Sequence, residues 1–160
     1  MQDTEKTKEQ LINEITELRS KLSLRENMLE SIGHAIITVD TGGKIIYWNR
    51  SAEDLYGWKK EEVLGMPVIE VTPSDQTMEE AKEIMNLMME GKSWSGDFYV
   101  KDNSGKKFHA EVTDTPVLDE NGKLQAIIGI SRDISERKQE FENLKTREEF
   151  ASAAAEATPA

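Results

Sequence analysis

Side chains that commonly carry chemistry are sparse in this 160-residue chain. It has no cysteine, so disulfides, thiolate metal sites, iron–sulfur clusters and thiol nucleophiles are excluded. The two histidines, His34 and His109, lie far apart and lack metal-ligand spacing. Glu61-Glu62 and Glu79-Glu80 are adjacent acids on predicted helices. Neighbours on a helix point apart, so these pairs read as solvated faces rather than acid–base partners. Met78, Met85, Met88 and Met89 could offer a thioether, but Met at helical spacing is core filling far more often than a ligand. There is no glycine-rich phosphate loop and no nucleophile–base pair, so the chain is expected not to be an enzyme.

The elements that hold these residues follow from pattern and punctuation. Residues 4–31 contain no Gly or Pro. Leu11, Ile15, Leu18, Leu22, Leu29 and Ile32 recur in steps of four and three, with Arg25 filling one expected apolar place. This is a heptad seam on an otherwise charged helix, which needs a partner to be stable. The six seam residues are therefore the candidate dimerisation contacts, in a segment 1–32 that Gly33 would end in a left-handed turn.

Strand patterns follow at residues 35–40 and 44–48, joined by Thr41-Gly42-Gly43. Asn49 caps a predicted helix over residues 50–56, and a short helix follows over residues 60–64. Thr72-Pro73-Ser74-Asp75 reads as the start of a longer helix ending near Gly91. Three more strands are predicted over residues 94–101, 106–117 and 125–132, separated by turns rich in Asp, Asn and Gly. Asp133-Ile134-Ser135-Glu136 reads as a capping box that opens a final helix over residues 134–149. The Ala-rich residues 150–160 are low-complexity and read as a disordered tail or a cloning remnant. The fold class is α+β: a core over residues 33–133 with a five-stranded antiparallel sheet, helices on one face, and a helix at each end.

Alternation assigns faces to the strands. Gly96, Phe98 and Val100 share one face, as do Phe108, Ala110, Val112 and Asp114, and likewise Ile127, Gly129 and Ser131. The small residues Gly96, Ala110 and Gly129 would leave space under the middle helices. That space is either filled by large helical side chains, the reading preferred here, or open to a ligand. The candidate cavity residues are Ile37, Met85, Met89, Phe98, Val100, Phe108, Ala110, Val112, Asp114 and Ser131. The opposite face is partly apolar through Ile36, Tyr99, Ile128 and Ile130, so a cover is expected there.

The formal net charge of −11 makes nucleic acid an unfavourable partner. No apolar run approaches the ~18 residues that cross a membrane, so the expectation is a soluble, cytoplasmic chain without membrane insertion.

Three stretches together resemble the PAS family. The first is Gly43-Lys44-Ile45-Ile46-Tyr47-Trp48-Asn49-Arg50-Ser51-Ala52-Glu53, followed by Tyr56-Gly57-Trp58 and Glu61-Glu62-Val63-Leu64-Gly65. The second is Asp102-Asn103-Ser104-Gly105-Lys106-Lys107-Phe108-His109-Ala110-Glu111-Val112 with Pro116-Val117. The third is Gly122-Lys123, leading to Ile128-Gly129-Ile130-Ser131-Arg132-Asp133-Ile134-Ser135-Glu136-Arg137. The resemblance spans about residues 31–138. It implies a PAS fold with a cavity under the sheet and helical extensions that carry signals. It also implies that Asp133, Ile134 and Ser135 relay between the core and a signalling helix.

The departures matter too. Lys59 stands where many relatives cap the next helix with Ser or Thr, and His109 stands where an aromatic residue is common. His109 is expected to face outward. Asp114 stands where relatives are apolar and inward-facing, and a lone buried carboxylate is expensive unless paired or protonated. It either sits at a wet strand end, the preferred reading, or binds something.

The resemblance frames three functions. The leading one is a sensor that binds a small ligand noncovalently and acts on an effector such as a histidine kinase. The second is a ligand-free dimerisation module. The third and weakest is a small enzyme with Asp114 as general base. Relatives that attach flavin or another chromophore through cysteine have no counterpart chemistry here. His-ligated haem is not expected, because residues 74–90 contain no histidine. Noncovalent flavin or a small organic ligand stays open, and the cofactor is otherwise unknown.

Overall fold

The computed structural model describes residues 7–157. The chain divides into two units, Met1–Gly33 and His34–Ala160.

The first unit is α1 (Lys8–Glu30), opened by a capping box. The Thr7 amide donates to Gln10 Oε1 at 2.9 Å, and the Gln10 amide to Thr7 Oγ1 at 3.2 Å. Residues 4–6 of the expected helix lie outside the described residues. The helix ends on Ser31 in a right-handed conformation, and Gly33 is not left-handed. The expected glycine cap is thus replaced by an ordinary frayed turn.

The second unit runs in the order β1 (Ala35–Asp40), β2 (Ile45–Trp48), α2 (Arg50–Tyr56), α3 (Lys60–Val63), α4 (Val68–Val71), α5 (Met78–Met89), β3 (Trp94–Lys101), β4 (Lys107–Leu118), β5 (Leu124–Asp133) and α6 (Ser135–Glu156). The five strands form one antiparallel sheet in the order β2-β1-β5-β4-β3.

All three hairpins close on the same Asp-x-x-Gly-Lys pattern. Asp40 Oδ1 accepts the Gly42 and Lys44 amides, Asp102 Oδ1 the Ser104 and Lys106 amides, and Asp119 Oδ1 the Asn121 and Lys123 amides. The glycine of each turn is left-handed, with φ of 78°, 82° and 79° at Gly43, Gly105 and Gly122.

Both sheet edges are covered. At β2, the Ile45 amide donates to the Met66 carbonyl and the Gly65 amide to the Ile45 carbonyl. At β3, the Lys101 amide donates to the Pro73 carbonyl, and Tyr99 and Asp75 exchange two bonds. An uncovered edge strand would invite pairing with another chain.

This docking corrects the expected start of the long helix. Thr72-Pro73-Ser74-Asp75 is spent on the β3 edge, and α5 begins five residues later. Its N-cap is Thr77, whose amide donates to Glu80 Oε2 at 2.7 Å while the Glu80 amide donates to Thr77 Oγ1. A complete capping box outcompetes the Pro-based signal upstream.

The Ala-rich segment is also corrected. α6 continues through it to Glu156, as alanine's helix propensity favours, and residues 158–160 lie outside the described residues.

Asn49 organises the entry to α2. Its Oδ1 accepts the Ile36 and Ala52 amides, and its Nδ2 donates to the His34 carbonyl. One fully buried amide therefore caps α2 and pins β1. Trp48, Tyr56 and Phe108 pack in series, with ring centroids 5.6 and 5.7 Å apart. They anchor a core that includes Ile45, Val63, Val71, Val100 and Ala110.

Candidate functional site

A cavity of about 460 Å³ lies between the sheet and α5. β1 contributes Ile37 and Val39, β3 contributes Phe98, β4 contributes Val112 and Asp114, and β5 contributes Ile127, Gly129 and Ser131. Ala81, Ile84, Met85 and Met88 of α5 form the facing wall, and the segment 72–77 closes one side.

Among the candidate residues, the structure brings Ile37, Met85, Phe98, Val112, Asp114 and Ser131 to this cavity. Val100, Phe108 and Ala110 are packed into the solid core instead. Met89 is 66% exposed and points away. Its place is taken by Met88, fully buried on the stripe Ala81–Ile84–Met85–Met88. Steps of three and four from Ala81 would have found it.

Two of the small residues do not leave open space. Ala110 is enclosed by the core. A side chain at Gly96 would meet the Trp94 ring at 2.4 Å, so β3 fills that gap itself. Gly129 is the small residue at the cavity, and it makes room for Asp114. A Cβ there would stand 3.0 Å from Asp114 Oδ1.

Asp114 is half-buried and stands within β4 rather than at its end. Its position on β4 pairs with Trp94 on one side and Gly129 on the other, and the β4–β5 ladder continues to Leu118. The carboxyl is therefore held mid-strand in the cavity wall, and burial pushes its pKa up to about 6.

Two residues along β5, Ser131 Oγ lies 3.0 Å from the Tyr56 hydroxyl. Burial raises the Tyr56 phenol above its ordinary value of 10, the bond to Ser131 opposes this, and the nearby Asp114 charge adds to the rise. Tyr56 was not among the sequence candidates. It reaches the site from α2, 75 positions before Ser131 in the sequence.

At its end β5 passes directly into α6. The expected capping box is not formed. Asp133 Oδ1 instead accepts the Ser135 amide at 2.8 Å, two residues on, in a local turn. Ile134 is buried, and its amide donates to the His109 carbonyl at 2.8 Å. Ser135 Oγ accepts the His109 amide at 3.0 Å. The exit residues thus extend the β4 ladder for one more step before the helix begins.

His109 lies on the outer face, as expected, but it is mostly covered rather than free. It stacks near Tyr99 at 4.4 Å, and its Nε2 lies 2.9 Å from Asp97 Oδ2 and 3.1 Å from Lys138 Nζ. Lys138 of α6 also pairs with Asp97. The Lys138 hydrogen bond is the main reason the Asp97 carboxyl is held below its usual range. Among the described residues, no group of His, Asp or Glu is arranged to hold a metal. No helix of the described residues is long and apolar enough to cross a membrane.

A family model described as the PAS fold matches residues 23–134. The chain belongs to the PAS family. Its five-stranded antiparallel sheet and its terminal helices fit the PAS fold. A solved PAS domain from Colwellia psychrerythraea is similar, with 29% identity, a TM-score of 0.66 and coverage of 72% of this chain and 98% of that one. The human high affinity cAMP-specific and IBMX-insensitive 3',5'-cyclic phosphodiesterase 8A is 29% identical over 124 residues, which are 74% of this chain and 15% of that protein. A sensor-like histidine kinase of Pyropia yezoensis is 26% identical over 153 residues, which are 92% of this chain and 23% of that protein. The PAS chain thus spans less than a quarter of either full-length relative.

Proposed function

We propose that this PAS chain is a sensory signal-relay module and not an enzyme. It takes a small molecule noncovalently in the cavity and passes its occupancy through β5 to α6. The observation that carries this reading is the continuity of β5. The strand lines the cavity with Ile127, Gly129 and Ser131, and runs into α6 through Asp133, Ile134 and Ser135. Only Arg132, Asp133 and Ile134 separate Ser131 from the helix start at Ser135, so a displacement of Ser131 by a ligand has a short way to travel. The Asp133–Ser135 hydrogen bond at this junction is worth about 1 kcal/mol, so a differential affinity of that order would bias it. Relatives named as sensor-like and two-component proteins support an effector such as a histidine kinase. A cytoplasmic setting is part of the same proposal.

The test is hydrogen exchange over residues 134–145 in the wild type and in Asp133→Ala. Loss of the turn at Ser135 is expected to lower protection there while the sheet stays protected. Unchanged protection would remove Asp133 from the relay. Native mass spectrometry and an absorption spectrum of the protein as purified would reveal a retained flavin or organic ligand.

The second reading is a ligand-free dimerisation module. It is favoured by the apolar stripe of α1, where Leu11, Ile15, Leu18 and Leu22 are 46%, 49%, 58% and 58% exposed. Dimerisation through this stripe is compatible with either reading.

A further inference from the structure

We propose that the cavity selects a small apolar molecule bearing a protonated amine, with Asp114 as its counter-ion. This rests on the cavity being a ligand site and names the class of ligand.

Asp114 is the starting point. It supplies the one ionisable side chain among the described residues that line the cavity, and no Lys, Arg or His is among them. Among the described residues, no donor or cation pairs with its carboxylate, and burial is the sole cause of its raised pKa. An inward carboxylate without a partner costs stability that an apolar residue at this position would not. The backbone makes room for it nonetheless. Gly129 lacks the side chain that would crowd Asp114 Oδ1 at 3.0 Å.

The rest of the wall fits one end of such a ligand and then the other. Ser131 lies on the same face of β5 as Gly129, next to the Asp114 position. The Tyr56–Ser131 pair uses one hydroxyl hydrogen between its two oxygens, so lone pairs remain on the serine for a second ammonium hydrogen. Beyond this polar corner, Ile37, Ile127, Met85 and Met88 offer an apolar wall. About 460 Å³ suits a body of several carbon atoms. A charge-assisted bond to a carboxylate in a sheltered site is among the stronger polar contacts. The net charge of −11 also favours approach of a cation over an anion.

The protonation states set a pH signature. An alkylamine is cationic throughout pH 5–8. Asp114 titrates near 6 in the empty cavity. Tyr56 is the other titratable group facing it, and its raised pKa keeps it neutral over this range. Amine affinity is therefore expected to rise up to about tenfold per pH unit below 6 and to level off above it.

The experiment compares hexylamine, hexanol and hexanoate by calorimetry at pH 5, 6, 7 and 8, on the wild type and on Asp114→Asn, with circular dichroism confirming the fold of both. The expected result is hexylamine binding at least tenfold tighter than hexanol at pH 7, hexanoate weakest, and the preference for amine lost in Asp114→Asn. If hexanol matches hexylamine, if hexanoate is preferred, or if Asp114→Asn keeps the amine preference, the proposal is overturned while the cavity remains a ligand site. If none of the three binds, the cavity reading falls together with it.

Discussion

The Tyr56 hydroxyl and Ser131 Oγ meet at 3.0 Å in the interior, joining α2 to β5. This one bond between buried side chains spans 75 positions of sequence. Tyr56→Phe removes one partner and leaves Ser131 buried without it. The expected loss is about 1–2 kcal/mol in denaturant unfolding. Ser131→Ala should cost a similar amount, and the double variant should cost less than the sum of the two. Additive losses would show that the two hydroxyls act independently.

Among the glycines, Gly57 combines a left-handed backbone with the closest contact a side chain would meet. Its φ is 77°, and a Cβ would stand 2.3 Å from Asn103 Oδ1. Asn103 in turn donates from Nδ2 to the Gly57 carbonyl at 2.6 Å and from its backbone amide to the Tyr56 carbonyl. Gly57→Ala is expected to lower stability by about 2–4 kcal/mol, read as a drop in thermal midpoint. Gly105→Ala, left-handed but with open space around it, should cost about 1 kcal/mol. Equal losses at the two sites would show that the Asn103 contact is unimportant.

Asp114 should make the empty protein less stable as pH rises. Its carboxyl titrates near 3.8 when unfolded and near 6 when folded. Below pH 4 both states are protonated and no penalty exists. Between about pH 4 and 6 the folded state holds the proton more tightly, so stability falls as pH rises. Above 6 the full penalty applies. Asp114→Asn should therefore stabilise the protein at pH 7.5 by about 1–3 kcal/mol and change little at pH 3.5. A pH-independent difference between the two proteins would contradict this origin.

The α1 stripe predicts a dimer that one charge can weaken. Light scattering should give twice the chain mass for the wild type and a shift toward the monomer for Leu18→Glu, which is 58% exposed in the single chain. A wild-type monomer at high concentration, with α1 helical by circular dichroism, would rule out the stripe as the dimer contact.

Most of the sheet was legible in the residues because its signals are local. Alternation and three Asp-x-x-Gly-Lys turns place every strand within one or two residues. The four-residue helix α4 was not anticipated, since so short a segment carries no period. Competing local signals caused the other misplacements. Thr72-Pro73 looked like a helix start but pairs with β3, and Asp133 looked like a cap but turns onto Ser135. At the site, strand alternation placed Phe98, Val112, Asp114 and Ser131 on the cavity face. It could not tell cavity from core at Val100, Phe108 and Ala110. That depends on which rings from α2 and β2 arrive over them, and those rings are set by contacts distant in sequence. The misassigned Met89 was avoidable, since the apolar steps of three and four from Ala81 lead to Met85 and Met88.

The three matching turns leave the sheet with one joint unlike the rest. Every neighbouring pair of strands is tied by a tight reversal except β1 and β5, whose pairing runs from Ala35↔Ser131 to Asp40↔Ala126. On one side of that joint lies a two-stranded hairpin, on the other a three-stranded meander, each able to form from nearby residues. Joining them closes a loop of some ninety residues, the largest chain-entropy cost among the strand pairings of this sheet. The same joint carries Ile37 against Gly129 in the cavity wall. The seam held together by no tight turn is therefore the one whose spacing a guest in the cavity would feel first.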